Sequence, residues 1–356
     1  MKSKIIAMYL PQFHCIPEND EFWGKGFTDW VSVKKAKPLF EGHKQPREPL
    51  DDNYYDLSIE ANIEWQAKIA REHGVYGFGV YHYWFNNEKN LLTKPAEIMR
   101  DSPTLAMKYF YVWDNCSWIR SWSNVEGNDW APLADGEGAE KRKGPQVLIR
   151  NILGTEPDWE NHYNYLREHF HSSNYEKIGN KPVFSIIFYT PEVAKMCAYW
   201  EVLAKKDGFD GIVFIFQKNK DVPSQYFQYT YEPHASAWLF PPLYVRAYRK
   251  ICRKMGIKIK EKNVTIFDYD KVWQKLLDNA KQNKDSNVFL GGFVSYDDSP
   301  RRGDIRSKLF VGMTPTKFQN YLSELLEIST NQGKEYLFLT AWNEWGEGAY
   351  LEPDKD

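Results

Sequence analysis

The chain has 356 residues, and its 46 Lys and Arg against 48 Asp and Glu give a formal net charge of −2. That balance excludes a strongly basic nucleic-acid binder and a polybasic membrane-surface protein. Hydrophobic residues make up 42% and charged residues 26%, a globular composition and not a disordered one. Aromatic residues make up 16%, and so many Tyr and Trp side chains suggest a stacking surface in addition to a core.

Short apolar runs recur along the chain and alternate with segments of helical periodicity. In chain order, the predicted strands are Ile5–Leu10, Gly77–Tyr81, Ala106–Trp113, Val183–Tyr189, Gly211–Phe216, Tyr226–Tyr231, Val288–Val294 and Tyr336–Thr340. The periodicity predicts helices over Ile59–His73, Trp159–His169, Pro191–Lys206, Tyr269–Lys281 and Thr316–Ser329.

Strands that alternate with helices predict a parallel sheet closed into a (β/α)8 TIM-type barrel, formed by a single domain over residues 1–356. A doubly wound open sheet is the alternative, but no Gly-x-Gly-x-x-Gly follows the first strand. The connections 11–58 and 114–158 are long enough to be binding segments or lids. Few residues follow the last strand, so we expect the eighth helix to be missing or to follow beyond residue 356.

No targeting, membrane or metal-binding segment stands out. The apolar runs fall short of the roughly 18 residues that a membrane-spanning helix needs, so we expect no integral membrane contact. The Cys residues, which show neither metal-ligand nor disulfide spacing and fit a cytoplasmic protein, are Cys15, Cys116, Cys197 and Cys252. Asp268-Tyr269-Asp270 resembles an Asp-x-Asp metal motif, but Asp270 is better interpreted as a helix N-cap. We therefore expect no metal and no cofactor.

The active sites of such barrels lie at the carboxyl ends of the strands. Amides, imidazoles, carboxylates and aromatic rings are concentrated there, a mixture that binds sugar hydroxyls and packs on sugar C–H faces. The predicted substrate-binding residues are Tyr9, Gln12, His14, Tyr81, His82, Trp84, Trp113, Asp114, Asn115, Tyr189, Gln217, His234, Trp342, Asn343 and Trp345. Other residues at these ends are Tyr83, Tyr231, Glu232, Tyr296, Asp297 and Asp298. The expected partner is an oligosaccharide or polysaccharide and not a nucleic acid.

The sharpest local pattern is Thr340–Gly348, where Glu344 and Glu347 follow the last strand between Trp residues. On a helical turn, that spacing brings the Cβ atoms to about 5–6 Å. Retaining glycosidases place their two carboxyl groups about 5–5.5 Å apart. Two acids that close raise the pKa of one of them, which gives an acid and a base. Solvated loop acids can have the same spacing, and the position at a strand end is what favours catalysis.

Three blocks of sequence stand out together. They are Tyr9–His14 continuing through Trp23–Trp30, then Gly77–Phe85, and finally Trp342–Gly348 followed by Leu351–Asp354. These blocks resemble the WbsX family, which is described as glycoside hydrolase family 99-like and is often labelled a glycosyltransferase. The resemblance spans nearly the whole chain. It implies a (β/α)8 barrel with a carbohydrate-active site that needs no metal.

Family 99 itself contains retaining endo-α-mannosidases, and its Asn-Glu-Trp-x-Glu-Gly motif matches residues 343–348. The match implies that Glu344 removes the proton of the sugar 2-hydroxyl, so that the freed oxygen attacks the anomeric carbon and forms a 1,2-anhydro sugar. It implies that Glu347 protonates the leaving oxygen and then deprotonates the incoming water or acceptor. One departure is Cys116, which stands after the third strand where the resemblance would place a Glu. This change leaves the substrate open.

The sequence favours a carbohydrate-active enzyme that acts on a glycosidic bond with retention. One alternative is a glycosyltransferase of lipopolysaccharide, O-antigen or capsule biosynthesis, although no Gly-rich nucleotide-binding turn is present. Another alternative is a non-catalytic carbohydrate-binding protein, whose acids would point apart or lie outside any cleft. The sequence does not identify the sugar or its linkage. It does not distinguish endo from exo action, and it does not give the oligomeric state.

Overall fold

The computed structural model describes residues 2–120, 146–237, 243–255 and 264–356. Its centre is a barrel of eight parallel strands. In chain order these are β1 Lys4–Tyr9, β2 Gly77–Asn86, β3 Lys108–Trp113, β4 Lys181–Ile186, β5 Val213–Gln217, β6 Phe227–Tyr229, β7 Val288–Phe293 and β8 Tyr336–Thr340. The barrel closes because Ile6 of β1 lies opposite Gly77 of β2 on one side and Phe338 of β8 on the other. The predicted barrel is thereby confirmed.

Helices cover the outside of the barrel between most strands. They are Glu60–Glu72, Lys94–Asp101, Glu156–His171, Pro191–Lys206, Tyr269–Gln282 and Pro315–Asn331. Two of them begin with a Thr-Pro pair, in which the hydroxyls of Thr190 and Thr314 accept the backbone N–H groups of Val193 and Lys317 at 3.2 Å. The proline that follows each threonine has no N–H that would need a partner, so the local sequence fixes where these helices start.

The ring of helices has two gaps. Residues 218–226, between β5 and β6, contain no helix, and no α-helix follows β8 in residues 341–356. The second gap agrees with the sequence-based expectation. The first gap arises because residues 218–226 are too few for a crossover with a helix, which needs at least about 10–12 residues.

Short elements fill the remaining connections. They are the helices Pro17–Trp23, Asp29–Lys35, His234–Ala237, Leu243–Lys254 and Ser299–Arg302, the 3₁₀ turns Leu50–Asp52 and Trp345–Glu347, and the strands Lys89–Leu91, Trp118–Arg120, Gln146–Ile149, Lys177–Ile178, Val264–Asp268, Ser307–Val311, Asn343–Glu344 and Ala349–Tyr350. Val264–Asp268 pairs in parallel with Ser307–Val311 and so ties the β6–β7 connection to the β7–β8 connection. Within the described ranges, no helix combines the length and the apolar character needed to cross a bilayer.

Aromatic rings fill the barrel interior. Phe338 of β8 stacks on Tyr229 of β6 with centroids 4.5 Å apart, and it contacts Phe289 of β7 and Phe110 of β3 at 6.2 and 6.1 Å. All four side chains are buried. Part of the high aromatic content is therefore core packing, and a filled interior leaves the carboxyl edge of the strands as the place for a site.

Candidate active site

The chain leaves β8 into a tight hairpin that carries both predicted catalytic acids. Asn343–Glu344 pairs antiparallel with Ala349–Tyr350, and one 3₁₀ turn connects the two short strands. Gly348 closes the turn with a φ of 56°, a conformation that residues with a Cβ rarely adopt. Glu344 and Glu347 therefore lie on a single turn at the carboxyl edge of the barrel.

One buried guanidinium, that of Arg301, contacts both acids. Its Nη2 donates to Oε2 of Glu344 at 3.0 Å, and its Nη1 donates to Oε1 of Glu347 at 2.8 Å. Its Nε and Nη2 also donate to the two carboxylate oxygens of Asp29 at 3.2 and 3.1 Å. Arg301 belongs to the short helix after β7 and Asp29 begins a helix after β1, so three segments of the chain meet at this group.

Gly346 makes this close approach possible. Its backbone N–H donates to Oδ2 of Asp29 at 3.0 Å. A Cβ at this position would overlap the side chains of both Asp29 and Arg301. The glycine between the two acids is therefore required by the ion cluster as well as by the turn.

The charges around Arg301 perturb one another. Burial by itself lowers the pKa of Arg301, but Asp29, Glu344 and Glu347 outweigh burial and raise this pKa well above its ordinary value. Burial raises the pKa of Glu344 to about 8, Arg301 opposes that shift, and Glu347 and Asp29 add to it. The side chain of Glu347 is 15% exposed, against 7% for Glu344. Burial therefore favours the protonated form of Glu344, while Glu347 is the acid within reach of solvent.

Asp297 holds the backbone of Glu347 in place. The backbone N–H of Asp297 donates to the carbonyl oxygen of Glu347 at 2.6 Å. The Oδ2 atom of Asp297 lies 2.7 Å from both Nε2 of His43 and Nε2 of Gln45. Burial raises the pKa of Asp297, but these contacts and Ser299 outweigh it and hold the pKa below its ordinary value. Asp297 is thus an ionised anchor for the turn.

Four tyrosines surround the two acids. They are Tyr81, Tyr83, Tyr231 and Tyr296. Burial raises the pKa of each well above its ordinary value, and the charge of Glu344 or Glu347 adds to the shift in all four. The hydroxyl oxygens of Tyr81 and Tyr231 lie 3.3 Å apart. These hydroxyls stay protonated and can donate hydrogen bonds.

His234 lies with two of these tyrosines. Its ring stacks on Tyr231 with centroids 4.9 Å apart and meets Tyr296 edge-on at 5.8 Å. Burial, together with the charge of Lys308, lowers the pKa of His234 to about 4. The imidazole is therefore neutral at neutral pH.

Asp114 and Cys116 follow β3 on the same edge. Burial raises the pKa of Asp114 to about 6. The backbone N–H of Cys116, which donates to Oδ1 of Asp114 at 3.3 Å, opposes this shift. The charge of Asp114 in turn adds to the raised pKa values of Tyr83 and Tyr229. Burial and Asp114 raise the pKa of the Cys116 thiol to about 11. Cys116 is therefore a neutral thiol and cannot supply the charge of the Glu that the family resemblance suggests.

Other predicted binding residues lie on the outer side of the strands, against a helix. The Nε2 atoms of His82 and His162 are 2.8 Å apart, and Trp84 stacks on His162 with centroids 4.3 Å apart. The Nε1 atom of Trp113 donates to the carbonyl oxygen of Trp84 at 2.9 Å. Side chains alternate along a strand, so His82 and Trp84 face outward because Tyr81 faces inward. The structure does not bring these three residues to the acids.

Tyr9, Trp342 and Trp345 are packed away from solvent. The hydroxyl of Tyr9 donates to Oε1 of Gln66 at 2.7 Å, and Gln66 donates to Oε1 of Glu352 at 2.7 Å. The Nε1 atom of Trp345 donates to Oε2 of Glu352 at 2.6 Å. Trp342 is only 2% exposed. All three side chains are buried, and their role in substrate binding stays a prediction.

Asn115 and Asn343 use their amides to tie backbone segments together. Asn343 accepts from the N–H of Leu10 at 2.7 Å and donates to the carbonyl oxygen of Leu10 at 2.9 Å. Asn115 makes the same pair of bonds with Phe188 at 2.9 and 2.8 Å. The first tie fixes the hairpin to the end of β1, which helps to position Glu344.

Four predicted residues are spread around the barrel. Gln12 and His14 are buried, and burial lowers the pKa of His14. Tyr189 is half-buried, with its ring 5.5 Å from a phenylalanine of β5. Gln217 lines a cavity of about 600 Å³ outside the barrel, beside Tyr269–Gln282. A role for these residues in substrate binding stays a prediction.

The Asp-x-Asp segment is structural, but its capping residue was predicted wrongly. Asp268 caps the helix, because its Oδ1 accepts the N–H of Lys271 at 2.9 Å. The helix begins at Tyr269, which places Asp270 inside the first turn, where it pairs with Lys317 at 2.6 Å. In the parts of the chain that are described, no group of three or more His, Cys, Asp or Glu side chains could hold a metal.

Arg301 and Asp29 were missed by sequence reasoning. Asp29 lies in the Trp23–Trp30 block, which indicates the family but gives the residue no role. Arg301 lies in a connection without any motif, and it is one of 46 Lys and Arg residues. A buried acid pair needs a cation, but nothing in the sequence says which one approaches it.

The fold is a (β/α)8 barrel, and solved structures share it. The GH99 endo-α-mannosidase from Bacteroides thetaiotaomicron is similar, with a TM-score of 0.51 at 13% identity over 98% of this chain and 87% of that chain. A protein described as glycoside hydrolase-like is similar with a TM-score of 0.56 at 11% identity, over 99% and 88% of the two chains. At these identities the similarity concerns the fold.

The chain belongs to the glycosyltransferase WbsX family, whose model matches residues 5–356. It is 28% identical over 365 residues to the uncharacterized protein WxcX of Xanthomonas campestris pv. campestris strain B100, and 27% identical to that of strain ATCC 33913. These matches cover 99% of this chain and 48% of each relative, so the chain spans about half the length of the curated relatives it matches.

We expect Arg301→Gln to lower the free energy of unfolding by about 3–5 kcal/mol, because buried carboxylates lose the cation they share. The loss of unfolding free energy should be larger at a pH above the pKa of Glu344, about 8, than at a pH below it, since protonation neutralises that carboxyl group. The control is Arg167→Gln, whose side chain is 52% exposed and lies 3.0 Å from Asp207. Its expected effect is about 0–1 kcal/mol. Urea denaturation at several pH values measures both, and equal stability of the two variants would contradict the ion cluster.

Proposed function

We propose that this chain acts on a glycosidic bond with retention, using Glu344 and Glu347 as a catalytic pair on an oligosaccharide or polysaccharide. The observation that carries the proposal is the Arg301 guanidinium, which lies 3.0 Å from one acid and 2.8 Å from the other. Acids that converge on one group at the carboxyl edge of a barrel suit catalysis. Acids that pointed apart would have suited a carbohydrate-binding protein without activity.

In the first step, deprotonated Glu344 takes the proton of the sugar 2-hydroxyl. The 2-oxygen forms a bond to the anomeric carbon while the bond from that carbon to the leaving oxygen breaks. Glu347 gives its proton to the leaving oxygen. The product is a 1,2-anhydro sugar, with Glu344 protonated and Glu347 ionised.

In the second step, Glu347 takes a proton from water or from an acceptor hydroxyl, whose oxygen bonds to the anomeric carbon. The bond from that carbon to the 2-oxygen breaks, and the 2-oxygen recovers its proton from Glu344. Two displacements at the same carbon give retention. The partial exposure of Glu347 is consistent with this step, because water or an acceptor must reach it.

The surroundings support these roles. A carboxyl group with a pKa of about 8 is a stronger base, once deprotonated, than an ordinary carboxylate. Arg301 contacts both acids, so its positive charge can stabilise whichever of them is ionised in each step. The tyrosine hydroxyls around the pair offer donors to the sugar.

A glycosyltransferase is the second candidate, favoured by the description of the family. Transfer would use the same two acids, with an acceptor hydroxyl in place of water in the second step. The products distinguish the two activities: hydrolysis releases a free reducing sugar, whereas transfer yields a new glycoside.

We expect Glu344→Gln and Glu347→Gln each to lower kcat/KM by at least about 100-fold, since each removes a proton-transferring group. The control is Glu335→Gln, at the opposite end of β8, where Glu335 pairs with Lys4 at 2.8 Å. This variant should keep wild-type kcat/KM. Activity is assayed on mannose- and rhamnose-containing oligosaccharides. Full turnover by Glu347→Gln would refute the proposed pair.

The pH dependence tests whether both acids take part. The first step needs Glu344 deprotonated and Glu347 protonated, so kcat/KM should pass through a maximum and fall at both low and high pH. Because burial raises the pKa of Glu344 to about 8, one limb of the profile should lie near that pH. A profile that levels off at high pH would contradict the acid role of Glu347. The measurement is kcat/KM against pH for the wild type, with the Glu335→Gln variant as the control for an unrelated carboxyl group.

A further inference from the structure

The helix Leu243–Lys254 and the residue after it expose a stripe of large apolar side chains. The stripe consists of Tyr244, Tyr248, Ile251 and Met255, which are 75%, 60%, 56% and 67% exposed. Their spacing places them on one face of the helix. Cys252, on another side of the same helix, is buried. An exposed apolar stripe of this kind marks an interaction surface more often than a surface that stays in water.

The rest of the helix is strongly basic. Its charged residues are Arg246, Arg249, Lys250, Arg253 and Lys254. Residues 243–262 contain eight Lys and Arg residues and a single acid, Glu261. The overall charge of −2 averages over this segment, so the exclusion of a polybasic membrane-surface protein was wrong for a local basic surface.

The described elements before and after this basic segment lie at the carboxyl edge of the barrel. It follows His234, which stacks on Tyr231 beside the two acids. It precedes Val264–Asp268, which pairs with Ser307–Val311 in the connection that also carries Arg301. The helix therefore belongs to the connections around the candidate active site and not to the opposite end of the barrel.

We propose that Leu243–Lys254 docks the protein on the surface of an anionic lipid bilayer. The apolar stripe would enter the boundary between headgroups and acyl chains, and the exposed Lys250 and Lys254 would lie beside lipid phosphates. This is a peripheral contact, and it does not depend on the chemistry proposed for the two acids.

Charge and apolar exposure together favour a membrane over other partners. A nucleic acid would match the positive charge but would leave the apolar stripe in water. A symmetric contact with a second copy of the chain would cover the stripe but would bring two basic helices together. An anionic bilayer satisfies both features at once.

Cosedimentation of the full chain with vesicles tests the proposal. We expect it to bind vesicles that contain phosphatidylglycerol at least about tenfold more tightly than pure phosphatidylcholine vesicles, with a loss of binding at high salt. The double variants Tyr244→Ser with Ile251→Ser, and Lys250→Glu with Lys254→Glu, should each weaken that binding by about tenfold or more. All four positions are exposed, so the variants should fold as the wild type does.

Matched controls lie on Pro191–Lys206. Val202→Ser replaces an apolar residue that is 51% exposed, and Lys205→Glu with Lys206→Glu reverses two exposed charges. Both controls should bind vesicles as the wild type does. Equal losses in controls and test variants would overturn the proposal, as would binding to duplex DNA without binding to vesicles. Self-association would replace the proposal under two conditions. The wild type would have to be a dimer by light scattering that the double variant Tyr244→Ser with Ile251→Ser dissociates, and it would have to bind no vesicles.

Discussion

The site depends on one buried cation shared by three carboxyl groups. Without Arg301, the carboxylates of Asp29, Glu344 and Glu347 would face one another in a poorly solvated place, where breaking a buried ion cluster is costly. With Arg301, the segments after β1, β7 and β8 are held at one point. The same group therefore joins three connections at the carboxyl edge of the barrel and orients the two acids.

This arrangement also gives the acids unequal properties. Glu344 is the more deeply buried, and burial together with two neighbouring acids raises its pKa to about 8 in spite of Arg301. Glu347 is the more exposed and lies next to an anchor formed by Asp297. Two groups of the same chemical type thus acquire different environments, which is how carboxyl pairs divide acid and base roles.

Much of the fold could be predicted, because the periods of strands and helices are local features of the sequence. The acid turn could be predicted for the same reason. The sequence analysis missed contacts between distant parts of the chain and misjudged the direction in which some side chains point. Arg301 and Asp29 are 272 positions apart, and no local pattern joins them. His82 and Trp84 were placed at the mouth because they stand at a strand end, but alternation turns them onto His162.

The coupling between the two acids can be measured without a substrate. Carbon-13 NMR of the chain labelled at its glutamate carboxyl groups, with Glu344→Gln to assign the signal, follows the titration of Glu344. We predict that Glu344 titrates near pH 8 and that Glu347→Gln lowers its pKa, because a like charge that shares the same guanidinium is removed. A Glu344 signal that titrates in the ordinary range of a carboxyl group, and that Glu347→Gln leaves unchanged, would contradict the account.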